Sequence, residues 1–335
     1  MRFEFYTAAL ENVPKLSVDG TVDNNSIHFS HWQGNTTPAE LKADTSTEIA
    51  INLVASPKRA ELTNNIELVT NNHFDTDGVL SVWTLLNGER ALAYRDLLIA
   101  AAEAGDFSEY SSDDGVRVSI AIQGSDQASP NNDEGSPLAR FLASEDVDDD
   151  ARAYELVLPE IERLLTNIND YEPLWREGWN NVTAAIESFE QGNSIVKEYA
   201  GVSLITLAPE LFDGVGFSPT KHSAPYTAIS KYAKSELFLV AIPTSGGWFY
   251  RLDYPYYSWA ETVVRPQIKR RDLTAALELL NSQEGNRAGR WQPDNREMTS
   301  AVKFLDERGT LTPSRLEPED VVDVFSISPS LAAGY

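Results

Sequence analysis

Ile66-Glu67-Leu68-Val69-Thr70-Asn71-Asn72-His73-Phe74-Asp75-Thr76-Asp77-Gly78-Val79-Leu80 is the stretch on which the fold turns. Ile66–Thr70 is an apolar, β-branched run of strand type. From Gly78 onward Val79, Leu80, Val82, Trp83, Leu85 and Leu86 make a strongly apolar helix that stops near Asn87-Gly88. The loop between them carries a histidine and two carboxylates at alternate positions, His73, Asp75 and Asp77. Alternate side chains of an extended segment point the same way, so the three can converge on one ion. In open α/β sheets ligands bind at the carboxyl ends of strands, where this loop lies. Gly78 lets the chain turn, and the N-terminus of the following helix offers N–H groups to an anionic substrate. Imidazole with carboxylate suits Mn²⁺, Mg²⁺, Fe²⁺ or Zn²⁺, and the carboxylate share favours one or two ions of Mn²⁺ or Mg²⁺. A plain structural reading competes: a polar strand-to-helix turn in which Asp77 caps the helix and His73 is merely hydrogen-bonded.

Working outward, the upstream runs Arg2–Tyr6, Lys15–Val18, Ser26–Ser30 and Glu48–Val54 read as strands. Asp19-Gly20, Asp23-Asn24-Asn25, Gly34-Asn35 and Pro57 punctuate them, and Thr37-Pro38-Ala39-Glu40 opens a short helix. Downstream, a helix over about Glu89–Ala104 ends at Gly105, and Gln123–Asp133 reads as a loop. The acidic run Glu145–Asp150 opens a helix over about Asp150–Asn167, and another covers Glu172–Gln191. Strands return at Ser194–Tyr199, Val202–Leu207, Glu236–Ile242 and Trp248–Leu252, the last two joined by the hairpin signal Ser245-Gly246-Gly247. Helices follow at Leu273–Leu280 and Pro318–Phe325. The expected class is α/β: an N-terminal, largely parallel sheet with flanking helices, followed by an α+β C-terminal part. The division is set at 145/146, with a metal-binding domain before it and a helical connector and substrate-covering domain after it.

The chain has 335 residues, enough for a sizeable core, and 42% hydrophobic content is ordinary for a globular protein. The absence of cysteine excludes disulfides, thiolate metal sites and a cysteine nucleophile. Acidic residues outnumber basic ones 51 to 27, for a formal charge of −24, and a field of that sign repels nucleic-acid phosphates. The expected partner is therefore a small-molecule substrate, with no extended nucleic acid and no membrane. No apolar run is long enough to span a bilayer, and Met1-Arg2-Phe3-Glu4-Phe5-Tyr6 does not read as a signal peptide, so the cytoplasm is the expected address. Walker, Gly-x-Gly-x-x-Gly, Gly-x-Ser-x-Gly and His-Glu-x-x-His motifs are all missing.

Leu68 to Ser81 resembles the first motif of the DHH phosphoesterase superfamily: an apolar strand, His/Asp-x-Asp-x-Asp-Gly, then a helix opening with small and apolar residues. Members include RecJ-type exonucleases, cyclic-dinucleotide and oligoribonucleotide phosphodiesterases and family-II inorganic pyrophosphatases. The resemblance implies two Mn²⁺ or Mg²⁺ ions that activate water against phosphorus, with His73, Asp75 and Asp77 as ligands. It covers about 14 residues, and the family's Asp-His-His motif is absent downstream, where His222 stands without a neighbouring histidine. Ser30-His31-Trp32 followed by Asn72-His73-Phe74-Asp75-Thr76-Asp77-Gly78 also resembles an uncharacterised bacterial family, which supplies no activity.

Other residues join as candidates. His31 ends a strand before a Gly-containing turn and can reach the same sheet edge as His73, whereas His28 reads better as a core histidine. Asp19, followed by Gly20, also ends a strand and is a candidate metal ligand, although turn formation explains it nearly as well. Asp44 is a weaker case of the same kind. Asp106 stands just past a helix C-terminus, against the helix dipole, and is a candidate catalytic or bridging carboxylate alongside His31. In the aromatic run Trp248–Trp259, alternation places Phe249, Arg251 and Asp253 on one face, and Arg251 can grip a substrate phosphate or carboxylate. Arg265, Lys269, Arg270 and Arg271 form the one dense basic cluster, which reads as a solvated helix start, with a local anion patch as the alternative. These residues lead to a divalent-metal-dependent hydrolase, most simply a phosphoesterase of small phosphorylated or nucleotide-like substrates. An amide or C–N hydrolase, or a binding protein that keeps the fold, are the alternatives.

Overall fold

Four short parallel strands build the sheet that carries the loop: β1 (Arg2–Phe3), β2 (Lys15–Val18), β3 (Ser26–Phe29) and β4 (Leu68–Thr70), in the order β1-β4-β2-β3. The computed structural model describes residues 1–124, 135–212, 216–219, 221–285, 289–294 and 298–327. Helices α1 (Ser46–Ala55), α2 (Arg59–Leu62), α3 (Thr76–Asn87), α4 (Arg95–Phe107) and α5 (Asp113–Gln123) accompany this sheet. Leu16, Val18, Phe29, Leu68 and Val69 are buried, as the apolar faces of a covered parallel sheet require.

β2 and β3 are parallel neighbours although only residues 19–25 separate them, well short of the dozen or more usual for a crossover. The link is tight because Asp19, Asn24 and Asn25 all take positive φ, which Asp and Asn tolerate better than most side chains. The buried Lys15 ammonium fastens its base, donating to the carbonyls of Leu10, Val13 and Asn24.

Two expectations that bear on α1 and α4 need correcting. Glu48–Val54, read as a strand, lies inside α1. Thr45 caps that helix by accepting the Glu48 N–H at 3.2 Å, and the β-branched content is offset by burial of Ile49, Ile51, Leu53 and Val54. The helix expected to end at Gly105 runs on to Phe107 and stops at Ser108 in the left-handed conformation, so Asp106 lies in the last turn of α4 rather than beyond it. Of the loop read over Gln123–Asp133, residues 125–133 lie outside the described residues, and Gln123 closes α5.

Helices α6 (Pro137–Ala143), α7 (Asp150–Val157), α8 (Ile161–Thr166) and α9 (Glu172–Glu190) follow, the helix expected over Asp150–Asn167 being interrupted at Pro159 by a 3₁₀ turn. Residues 1–124, 135–179 and 259–266 form one compact unit. Tyr154 on α7 is buried there against Phe3 and Phe74, with ring centroids 4.6 and 5.3 Å away.

The other described residues, from 180 to 258 and from 267 to 327, form a second compact unit. Its mixed sheet comprises β5 (Ile195–Tyr199), β6 (Val202–Thr206), β7 (Leu237–Thr244), β8 (Gly247–Asp253), β9 (Gly289–Pro293) and β10 (Ser300–Asp306), ordered β5-β6-β7-β8-β10-β9. Alternation divides β7 cleanly: Leu237, Leu239 and Ala241 enter a core with Tyr250, Leu252, Trp291 and Phe325, and Phe238, Val240 and Ile242 enter another with Ile229. Helices α10 (Tyr226–Tyr232), α11 (Thr274–Glu284) and α12 (Pro318–Ile327) complete the unit. The chain is thus mixed α/β, with a parallel sheet followed by a mixed one. Among the described residues no helix is long and apolar enough to cross a membrane.

Candidate metal centre

The sheet order explains what meets at its carboxyl edge. β2 lies between β4 and β3, and all three run in the same direction. The residue after β2 is Asp19, His31 stands two residues after β3, and the His73-Phe74-Asp75-Thr76-Asp77 loop follows β4. Asp19 is therefore the central member, with one histidine to either side.

Its two carboxylate oxygens face different partners. Oδ1 lies 3.5 Å from His31 Nε2 and accepts Ser46 Oγ at 3.0 Å, and Oδ2 lies 2.8 Å from His73 Nε2. Oδ2 is a buried oxygen whose near neighbour is the His73 ring, an ionic contact rather than a formed hydrogen bond. Two ligand-type groups result, and they share Asp19: Asp19, His31, Asp77 and Asp106 in one, and Asp19, His73 and Asp75 in the other, with the ligand atoms of each within 4.8 Å of one another.

The first group is the more enclosed: Asp19, His31 and Asp77 are buried, and the Asp106 side chain keeps 5% of its exposure. His31 Nδ1 donates to the carbonyl of Asp44 at 2.7 Å, and because a carbonyl only accepts, the neutral ring has its lone pair on Nε2. That nitrogen has no hydrogen-bond partner and looks at three carboxylates, with Asp106 Oδ2 at 3.2 Å, Asp19 Oδ1 at 3.5 Å and Asp77 Oδ2 at 3.7 Å. A lone pair among carboxylates calls for a cation, either a proton or a metal ion. Burial alone would lower the His31 pKa, but Asp106, Asp19 and Asp77 outweigh it and hold the ring well above its usual range. Burial, then the Asp75 charge, pushes the Asp106 carboxyl well above normal. Burial and the Asp19 charge push Asp77 up to about 6. Asp77 also accepts two backbone N–H groups from the first turn of α1, Ser46 at 2.7 Å and Thr47 at 2.6 Å.

The second group is more open: the His73 and Asp75 side chains keep 29% and 26% of their exposure. Asp75 caps α3 through the Gly78 N–H at 2.7 Å and lies 3.1 Å from His73 Nε2. Burial would lower the His73 pKa, yet Asp75 and Asp19 raise it to about 12. The helix cap that a plain structural reading gave to Asp77 thus belongs to Asp75, which leaves Asp77 to α1 and the cluster.

Asn71 keys the loop to the end of β2. Its Oδ1 accepts the Gly20 and Asn72 N–H groups at 3.0 and 2.8 Å, and its Nδ2 donates to the Tyr154 hydroxyl at 3.0 Å. A Cβ on Gly78 would come within 2.4 Å of that Nδ2 and 2.8 Å of the hydroxyl. Gly78→Ala is therefore expected to dislodge Asn71 and destabilise the first unit by about 1–3 kcal/mol, measured by urea unfolding.

Among the remaining candidates, His28 is buried and its Nε2 meets the Val22 carbonyl at 3.0 Å, away from either group. Asp44 serves the centre through its backbone, and its carboxylate accepts N–H groups from residues 263–265. Arg251 belongs to the second unit, forked onto Asp253 at 2.7 and 3.1 Å and set over the Tyr226 ring. Arg265 is no solvated helix residue: it lies in the first unit among Asp44, Glu103 and Glu109. Sequence reading missed this cluster, and the one available signal was an arginine in a chain with many acids to pair.

Over residues 1–320 the sequence matches the family described as Family of unknown function (DUF6687). The chain belongs to that family. The DUF6687 description assigns no activity, so the likeness of the His73 loop to DHH phosphoesterases stands as a resemblance. No curated protein matches this DUF6687 chain. Among solved structures it is similar to the pGpG-specific phosphodiesterase PggH from Vibrio cholerae, at 13% identity and a TM-score of 0.30, covering 73% of this chain and 76% of that one. A likeness of that depth transfers nothing to the centre.

Proposed function

We propose that the chain is a divalent-metal-dependent hydrolase that holds two ions, with Asp19 shared between them, and that a small phosphorylated or nucleotide-like phosphoester is its substrate. The observation that carries this reading is the division of the Asp19 oxygens between two histidine-containing ligand groups. The donors fit: His31 Nε2 and Asp19 Oδ2 are buried without hydrogen-bond partners, and four aspartates with two histidines suit Mn²⁺ or Mg²⁺. His31, Asp77 and Asp106 would hold the enclosed ion, and His73 and Asp75 the more open one. When bound, such a pair supplies Lewis acidity and lowers the pKa of water. His73 and Asp75, being partly exposed, are where solvent and substrate meet the cluster. In this reading His31 and Asp106, expected from the sequence as catalytic groups, act as ligands.

The phosphoester preference rests on the resemblance of the loop, and the small size of the substrate on the charge of −24. Metal-stripped protein reloaded with Mn²⁺ is to be assayed against bis(p-nitrophenyl) phosphate, short dinucleotides, phosphomonoesters and a panel of amides. Mn²⁺-dependent cleavage of a phosphoester is the expected result. Cleavage of amides alone moves the reading to C–N hydrolysis, and no turnover with bound metal leaves a binding protein.

A further inference from the structure

Residues 259–266 return to the first unit from the far half of the chain, and Arg265 is their main anchor. Its guanidinium is largely enclosed among three acids. Nη1 meets Asp44 Oδ2 at 2.8 Å, Nη2 meets Glu103 Oε1 at 2.7 Å, and Nε meets the Glu109 oxygens at 3.0 and 3.1 Å. Each acid adjoins a member of the enclosed ligand group. The Asp44 carbonyl accepts the His31 Nδ1–H, and the same residue's carboxylate accepts the N–H groups of Val263, Val264 and Arg265. Glu103 lies one turn before Asp106 on α4, and Glu109 lies just past the end of that helix. The guanidinium also stacks 5.0 Å over the Phe107 ring, which packs against the His31 imidazole together with the edge of Trp259.

We infer that Arg265 is a positioning residue for the enclosed half of the metal centre, a brace that fixes His31 through Asp44 and Asp106 through the end of α4. Without it, three carboxylates face one another with no cation between them, and the end of α4 loses its tie to the His31 side of the centre. Among the described residues His73 meets Asn72, Asp75, Trp32 and the shared Asp19 rather than Arg265 or its three acids, so the brace acts on one ion and not on the other. The inference rests on the two-ion reading.

The test is Mn²⁺ binding to the full chain, followed by calorimetry and by the spin-coupled paramagnetic resonance signal of an ion pair. Partners of metal ligands typically contribute ~10–100-fold to affinity. Arg265→Gln is expected to weaken one of two Mn²⁺ equivalents by about that factor, to keep the other at wild-type affinity and to lose the coupled signal. Arg265→Lys keeps the charge without the fork and is expected to fall between, which decides the matter should the glutamine variant not fold. Two equivalents at wild-type affinity in the lysine variant, or equal weakening of both ions, would overturn the brace. Wild-type protein that binds no Mn²⁺ would instead overturn the metal reading itself.

Discussion

Asp19→Asn is expected to yield a folded protein that holds neither ion and has lost hydrolysis by roughly a thousandfold or more. Asparagine tolerates the positive φ of this position and keeps the shape of the side chain, and its amide oxygen can still accept Ser46 Oγ. The bridging charge disappears, and with it the group common to both ligand sets. Ions of this kind contribute several kcal/mol of transition-state stabilisation, and each 1.36 kcal/mol is about a factor of ten. Asp75→Asn is the comparison: it touches only the more open set and should lose one ion while keeping the other. Metal content by elemental analysis, together with far-ultraviolet circular dichroism, separates these outcomes. An Asp19→Asn protein that still carries two ions would remove Asp19 from the bridge.

Asp77→Ala is expected to reduce stability as well as activity, because Asp77 has two tasks. Its carboxylate accepts the Ser46 and Thr47 N–H groups at the first turn of α1, in a fully buried setting. Leaving a buried donor unpaired costs about 1–3 kcal/mol, so two of them amount to roughly 3 kcal/mol, or about 6–12 °C in the melting of the first unit. In Mn²⁺-loaded protein the loss of one bound ion adds to that. In metal-free protein the difference should shrink, since burial and Asp19 already push the Asp77 carboxyl up to about 6 and its removal relieves that repulsion. Asp77→Asn retains one acceptor and should fall between wild type and alanine. Equal melting temperatures for all three, with and without Mn²⁺, would show that α1 does not depend on this carboxylate.

The His73-Phe74-Asp75-Thr76-Asp77 loop was legible because its strand and helix are local patterns and its ligand types alternate. Asp19 and His31 were also visible as candidates, since each closes a strand before a turn. Their meeting was not visible, because it depends on β2 lying between β4 and β3, and strand order is set by non-local pairing. The very short β2–β3 link hid it further, as seven residues ordinarily argue against a parallel crossover. Glu48–Val54 misled because β-branched residues favour strands in isolation, whereas the Thr45 cap and burial on both sides decide for α1. Arg265 was out of reach of any local reading: its acids lie 156 to 221 residues away along the chain.

The most direct measurement is anomalous scattering from crystals grown or soaked with Mn²⁺. Two peaks about 3.5–4 Å apart, with one Asp19 oxygen on each, His31, Asp77 and Asp106 around the first and His73 and Asp75 around the second, are the expected result. No peak among these residues, or a single ion that leaves Asp19 untouched, would contradict the shared-carboxylate centre.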